Sequence, residues 1–271
     1  MLEHHFINFQ NSTIHYTKQG TQSPVLICFH GYGWNCYNFD YIMPELLKHF
    51  TVYSFDLFSH GESEWKETEE FSKDHFKNIF EIFFKTHKIE QFSVMGYSLG
   101  GRWATSLMAA YSNQTKAIYL VAADGLRRGT IIDILSRIKQ TNKIINYFIK
   151  HPKLFLGGIK LGYLMGMIDR EARDFYLGKN DTPEKRALIL KRIKLCKNLL
   201  VPTPVLIQKI KDNHISVHLF YGSSDFVMPV LLTNNLVKAL GKDILHKIND
   251  DHMLVIKTPF MEAVSDVLKT I

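Results

Sequence analysis

Cysteine is almost missing from this sequence, with three in 271 residues, Cys28, Cys36 and Cys196. Thiols so spaced make neither an even disulfide framework nor a metal-ligand motif. Cys28 sits inside an apolar strand pattern and reads as a buried thiol. A reducing, cytoplasmic compartment is therefore expected. Long hydrophobic runs are missing too: no stretch reaches the roughly 20 apolar residues of a membrane span. The start, Met1-Leu2-Glu3-His4-His5-Phe6, lacks a basic segment followed by an apolar one, so no secretory leader is expected. Internal repeats and low-complexity tracts are not seen, which excludes solenoids and long solvated linkers. What is present is 46% hydrophobic residues over a length that suits one large domain with an insertion, or two domains.

Positive charge is unevenly placed. Residues 127–200 hold 17 lysines and arginines against 6 aspartates and glutamates, a net +11, while the whole chain is only +7. The excess belongs to one segment. It reads either as a solvated helical surface or as a face that attracts anionic substrates or acidic lipid. No nucleic-acid motif accompanies it, so no nucleic-acid partner is expected.

The elements follow in order. His5 to Phe9 and Thr13 to Thr17 alternate around Gln10-Asn11-Ser12 and predict an antiparallel hairpin. Val25 to Phe29 is continuously apolar, as a strand buried on both faces must be. Tyr41 to His49 predicts a helix, Phe50 to Phe55 a strand, and Asp56 to Ser63 a polar turn pinned by Asp56 and His60. Phe76, Ile79, Phe80, Phe83 and Phe84 form a helical stripe. Gln91 to Met95 and Lys116 to Ala122 predict two further buried strands. This alternation implies a parallel sheet with helices on both faces. From Leu126 to about Leu200 the strands stop and helical segments follow. Phe155 to Ile168, apolar and glycine-rich, predicts a loose segment that faces the pocket. Pro202 and Pro204 close the insertion. Strands resume at Ile215 to Tyr221 and Ile244 to Ile248, and a helix interrupted near Pro259 ends the chain.

The chemistry centres on Gly96-Tyr97-Ser98-Leu99-Gly100-Gly101. A Gly-x-Ser-x-Gly pattern between a strand and a helix is a nucleophile elbow, with Ser98 held in strain and its Oγ exposed. The turn His30-Gly31-Tyr32-Gly33-Trp34, at the end of the first buried strand, offers backbone N–H groups to an oxyanion. The N–H groups of Tyr32 and Leu99 are the expected donors. Trp34, Tyr37 and Phe39 either wall a substrate pocket or fill core. Asp225 follows the seventh strand and His252 lies in the loop after the last one. Asp124, at the end of the sixth strand, is the alternative acid. Asp250 and Asp251 read as turn and surface residues.

The order Ser98, Asp225, His252, together with His30-Gly31-Tyr32-Gly33, the His60-Gly61-Glu62-Ser63 turn and Gly222-Ser223-Ser224-Asp225, resembles the α/β-hydrolase superfamily. The resemblance implies a mostly parallel eight-stranded sheet flanked by helices. It divides the chain into a core, residues 1–125 and 201–271, and a helical cap, residues 126–200, inserted after strand 6. It implies a serine hydrolase, most simply a carboxylic-ester hydrolase, in which His252 activates Ser98 and Asp225 orients His252. No metal and no organic cofactor is expected. Haloalkane dehalogenases and epoxide hydrolases carry aspartate at the elbow, so Ser98 argues against their chemistry.

Arg102 narrows this further. Ser98-Leu99-Gly100-Gly101-Arg102 resembles the elbow of the menaquinone-pathway lyase that eliminates pyruvate, where the arginine helps bind a substrate carboxylate. With Arg127 and Arg128 nearby in sequence, an anionic substrate is one expectation; a structural ion pair for Arg102 is the other. Hydrolases of carbon–carbon bonds share the same triad, and a non-catalytic ligand receptor on the same fold is the reading from another class. A small-molecule substrate, no integral span, peripheral contact through the basic cap, and a monomer or homodimer complete the expectations.

Overall fold

The computed structural model describes residues 2–126, 151–164, 173 and 182–269. Eight strands form one sheet: β1 Glu3–Phe9, β2 Ser12–Gln19, β3 Val25–Phe29, β4 Thr51–Phe55, β5 Phe92–Tyr97, β6 Thr115–Val121, β7 Ser216–Gly222 and β8 Leu245–Ile248. Their order across the sheet is β1-β2-β4-β3-β5-β6-β7-β8. β1 pairs with β2 and β2 with β4 antiparallel. Every later pairing is parallel. The expected eight-stranded, mostly parallel α/β sheet is thus present.

The central strands are buried on both faces because helices cover both. All five residues of β4 and all six of β5 are buried. Each fully buried large apolar side chain contributes roughly 1.5–3 kcal/mol relative to exposure. The helices among the described residues are α1 Met43–Leu46, α2 Lys73–His87, α3 Gly100–Ala110, α4 Pro152–Leu164, α5 Pro183–Lys197, α6 Thr203–Asp212, α7 Asn234–Leu240 and α8 Thr258–Leu268. In α2 the predicted stripe, Phe76, Ile79, Phe80, Phe83 and Phe84, is the buried face. Phe80 lies 5.3 Å and Phe83 5.0 Å, ring centre to ring centre, from Phe55 of β4. Ser72 caps the helix, accepting from the His75 amide while the His75 ring accepts from the Ser72 amide.

Two expectations change in extent. The helix predicted over Tyr41 to His49 contracts to α1, preceded by a 3-10 turn at Cys36–Phe39. Pro202 and Pro204, expected to close the insertion, stand at the opening of α6, where proline's missing N–H costs no hydrogen bond. The glycine-rich stretch expected to be loose is helical as far as Leu164; its remainder lies outside the described residues. α4 and α5 fall between β6 and β7 in chain order.

The chain divides into two compact units, Met1–Arg128 with Asn198–Ile271, and Gly129–Lys197. No helix among the described residues is long and apolar enough to cross a membrane. All three cysteines are buried. Burial pushes the Cys28 and Cys36 thiols far above their ordinary range, which keeps them protonated and unreactive.

The Asp56 turn is pinned as its residue types demand. Asp56 accepts from His15 Nδ1 (2.8 Å), the Cys36 amide (2.6 Å) and the Glu62 amide (2.8 Å). Burial works to raise its pKa, but these donors together hold the carboxyl below the usual range. Gly61 has φ +49°, and a β-carbon there would fall 1.9 Å from Asp56 Oδ2, so only glycine fits.

Candidate active site

Ser98 sits between β5 and α3 with φ +49°, a left-handed conformation that costs a non-glycine residue about 1–3 kcal/mol. The surroundings over-determine it. The Ser98 amide donates to Val121 O (2.9 Å), and Ser98 O accepts from the Gly101 and Asp124 amides (2.9 and 2.8 Å). The flanking glycines permit the close passage of strand and helix. A β-carbon on Gly96 would meet Gly100 O at 2.6 Å, and one on Gly100 would meet Phe29 O at 2.0 Å.

His252 and Asp225 converge on this serine from 154 and 127 residues away in sequence. His252 Nε2 lies 3.1 Å from Ser98 Oγ, and His252 Nδ1 lies 2.8 Å from Asp225 Oδ2. Asp225 Oδ1 accepts from the amides of Val227 (2.9 Å) and Met228 (2.8 Å). A buried carboxylate with three such donors is an acceptor, so it places the imidazole proton on Nδ1. Nε2 is left with a lone pair directed at the serine hydroxyl. The geometry suits proton abstraction from Ser98.

The His30-Gly31-Tyr32 turn lies against the same serine. A β-carbon built on Gly31 would stand 3.4 Å from Ser98 Cβ and 2.7 Å from the Tyr97 ring. His30 braces the turn: its Nδ1 lies 2.7 Å from Gly31 O, and its Nε2 accepts from the Leu57 amide at 3.0 Å. Leu99 is the N-cap of α3, where N–H groups have no intrahelical acceptor. The expected oxyanion donors, Tyr32 and Leu99, thus belong to the two backbone segments beside Ser98. Trp34 is half-buried in the same turn, its amide donating to Gly31 O at 3.2 Å. Phe39 is fully buried core rather than pocket wall. Tyr37 is exposed and edges toward the His4 ring on the N-terminal hairpin.

Two expectations cancel each other. Arg102 is not presented to substrate: it is fully buried, and its Nε donates to Asp124 Oδ2 at 2.5 Å. Asp124 is not the acid for His252, because its other oxygen accepts from the Gly125 amide at 2.8 Å. The elbow arginine is a structural ion pair that ties α3 to the end of β6. Arg127 and Arg128 lie outside the described residues.

Three contributors were not found by sequence reasoning. Tyr97 Oη donates to His252 O at 3.0 Å, and the two rings pack at 5.5 Å. Burial pushes the Tyr97 hydroxyl well above its usual range, so it remains a donor. Lys257 Nζ bridges Asp250 Oδ1 (2.6 Å) and Asp251 Oδ2 (2.8 Å) and closes the loop that carries His252. Asp250 and Asp251 are therefore clamp residues, with Asp251 held below the usual carboxylate range: burial opposes this, but Lys257 and the Met253 amide outweigh it. Tyr221 Oη donates to Ala123 O (2.8 Å) and accepts from the Ala123 amide (3.0 Å), joining the ends of β6 and β7. Only Tyr97 carried a signal, its place beside Ser98, and nothing in that place reveals its partner.

Comparison with known proteins agrees with the fold. The family model described as the alpha/beta hydrolase fold matches residues 24–155, which include the oxyanion turn and the elbow. The chain has the α/β-hydrolase fold, and over these residues it matches that family. Solved structures share the architecture along nearly all of both chains. A haloalkane dehalogenase from Bradyrhizobium elkani USDA94 superposes with a TM-score of 0.63 at 16% identity, covering 100% of this chain and 98% of that one. The thioesterase domain from the curacin biosynthetic pathway gives 0.65 at 16% identity, covering 99% of each chain. A bromoperoxidase from Bacillus anthracis gives 0.65 at 16% identity, covering 98% of this chain and 100% of that one. At such identities the likeness is one of fold. Among curated proteins, an uncharacterised protein of Mycobacterium tuberculosis is 28% identical over 105 residues, 39% of this chain. That match spans only 30% of the relative's own length.

Proposed function

We propose that this chain is a serine hydrolase that cleaves carboxylic esters of small to medium size through an acyl-enzyme. The observation that carries the reading is the continuous contact Asp225–His252–Ser98, at 2.8 and 3.1 Å, on a serine in the left-handed conformation. His252 Nε2 takes the Ser98 proton as Oγ attacks the ester carbonyl carbon. The N–H groups of Tyr32 and Leu99 receive the developing oxyanion. His252 returns the proton to the departing alkoxide, and the alcohol leaves. Water then adds to the acyl carbon with His252 again as base, which frees the carboxylic acid and restores Ser98. These steps need only the side chains named and water. In the same reading, residues 126–200 act as a cap that selects among substrates, the protein works in the cytoplasm as a monomer or homodimer, and nucleic acid is not a partner.

Burial of Arg102 against Asp124 takes away the feature that pointed to a carboxylate-eliminating lyase. The test is labelling of the full chain by a fluorophosphonate, beside turnover of p-nitrophenyl esters of graded acyl length. Labelling and turnover that both vanish in Ser98→Ala support the reading. A wild-type chain that neither labels nor turns over any ester of the series would sink it in favour of a ligand receptor.

A further inference from the structure

We propose that His4, His15 and Glu62 form a binding site for a divalent transition-metal cation of the zinc class, at the β1–β2 edge of the sheet. The site is separate from the serine centre and uses no residue of it. His15 lies opposite Phe6 in the β1–β2 ladder, and His4 lies two residues before Phe6. Alternation therefore puts both imidazoles on one face of the hairpin as diagonal neighbours. His4 Nδ1 stands 3.0 Å from His15 Nε2, and His15 Nε2 stands 3.9 Å from Glu62 Oε1. The three ligand atoms lie within 4.8 Å of one another. A tetrahedral centre with bonds near 2.0–2.2 Å has ligand-to-ligand edges of roughly 3.3 Å. The imidazole pair already stands near that spacing. Glu62, with a side chain 62% exposed, has the freedom to close the remainder.

What distinguishes the cluster from a chance grouping is the support behind it. His15 is buried, and its far nitrogen, Nδ1, lies 2.8 Å from Asp56 Oδ2. This carboxylate–imidazole arrangement fixes the tautomer and turns the Nε2 lone pair toward His4 and Glu62, as at metal-bound histidines generally. The same Asp56 oxygen accepts from the Glu62 amide at 2.8 Å, so one carboxylate positions two of the three ligands. Tyr37 Oη lies 3.5 Å from Nε2 of His4, behind its ligating nitrogen. His15, Cys36 and Asp56 also cluster, but deeper. There both Asp56 oxygens are engaged by backbone N–H groups and Cys36 is buried, so the outer trio is the accessible one. Two nitrogens and one oxygen leave a fourth position for water on the exposed side. A cation held there would clip the edge strand to the Asp56–Ser63 turn.

The test is equilibrium dialysis of the full chain against zinc alone, with metal counted by elemental analysis, and titration with cobalt(II) followed in the visible spectrum. His4 and Glu62 are exposed, so His4→Ala and Glu62→Gln leave the fold intact, which circular dichroism checks. Each is expected to weaken one zinc equivalent by at least about ten-fold and to abolish a tetrahedral cobalt band. His5→Ala is the control, because His5 lies on the other face of the hairpin, stacked on Tyr16. It should bind like the wild type. The thermal midpoint should rise with zinc in the wild type and in His5→Ala, and not in His4→Ala. Equal zinc affinity in the wild type and His4→Ala, or a wild type without a saturable site, would overturn the proposal.

Discussion

The ends of β6 and β7 carry two buried acids with opposite fates. Asp124 and Asp225 each follow a central strand, each is almost fully buried, and each holds a basic side chain. Asp124 meets Arg102, a permanent cation locked in the protein interior. Asp225 meets His252, a group that can take up and release a proton and whose second nitrogen reaches Ser98. One pair is fully buried and ties α3 to the end of β6. The other is open at one end. The same acid in the same kind of position becomes architecture or chemistry according to whether its partner can exchange a proton.

The comparison is broken most severely at the open pair. In the proposed hydrolase, Ser98→Ala or His252→Ala should lower kcat by about 10^4-fold or more, and Asp225→Asn by about 10^4-fold through the wrong imidazole tautomer. All should unfold at nearly wild-type denaturant concentrations. The Arg102–Asp124 pair should behave the other way. Arg102→Met leaves Asp124 buried without its partner and is expected to cost about 3–5 kcal/mol in urea unfolding. Adding Asp124→Leu to it should restore much of that loss, which a two-variant cycle reads directly. Tyr97→Phe sharpens the contrast, since it removes the donor to His252 O but no triad atom. A roughly 2- to 10-fold fall in kcat with KM unchanged is expected, because one net hydrogen bond is at stake.

The smallest effect lies away from both pairs. His218 and His246 stack side by side on β7 and β8. Burial, then the neighbouring His246, pushes His218 from 6.5 down to about 4. The folded chain therefore favours the neutral ring more than the unfolded chain does. Its contribution is present above about pH 6.5 and is lost as the pH falls toward 4. Unfolding of His218→Phe at pH 5 and at pH 7.5 should show a smaller loss of stability in acid than the wild type. An equal loss in both would remove His218 as a source of acid sensitivity.

The sequence carried much of this because strand and elbow signals are local. Val25 to Phe29 had to be covered on both faces, and glycines at 96 and 100 had to flank a strained serine. The order of Ser98, Asp225 and His252 along the chain followed from strand-end positions. The N-terminal hairpin, too, was legible from alternation alone. What escaped were contacts between residues far apart in sequence. The pairing of Arg102 with Asp124, the reach of Tyr97 to the His252 carbonyl and the Lys257 clamp have no local signature. Pro202 and Pro204 were legible as a boundary, but not as the start of α6: proline ends a helix from within and starts one at its first turn, and composition cannot say which.

Local physics thus determined the strands, the elbow and the three residue types that meet there, since each depends on a few adjacent side chains and the dihedral angles they allow. The tertiary structure alone decided which acid reached the histidine, and that Arg102 turned inward to Asp124 instead of outward to a substrate. It also brought His4, His15 and Glu62 together. Those outcomes depend on distances set by strand order and packing, in which β4 inserts between β2 and β3 and residues more than a hundred positions apart become neighbours.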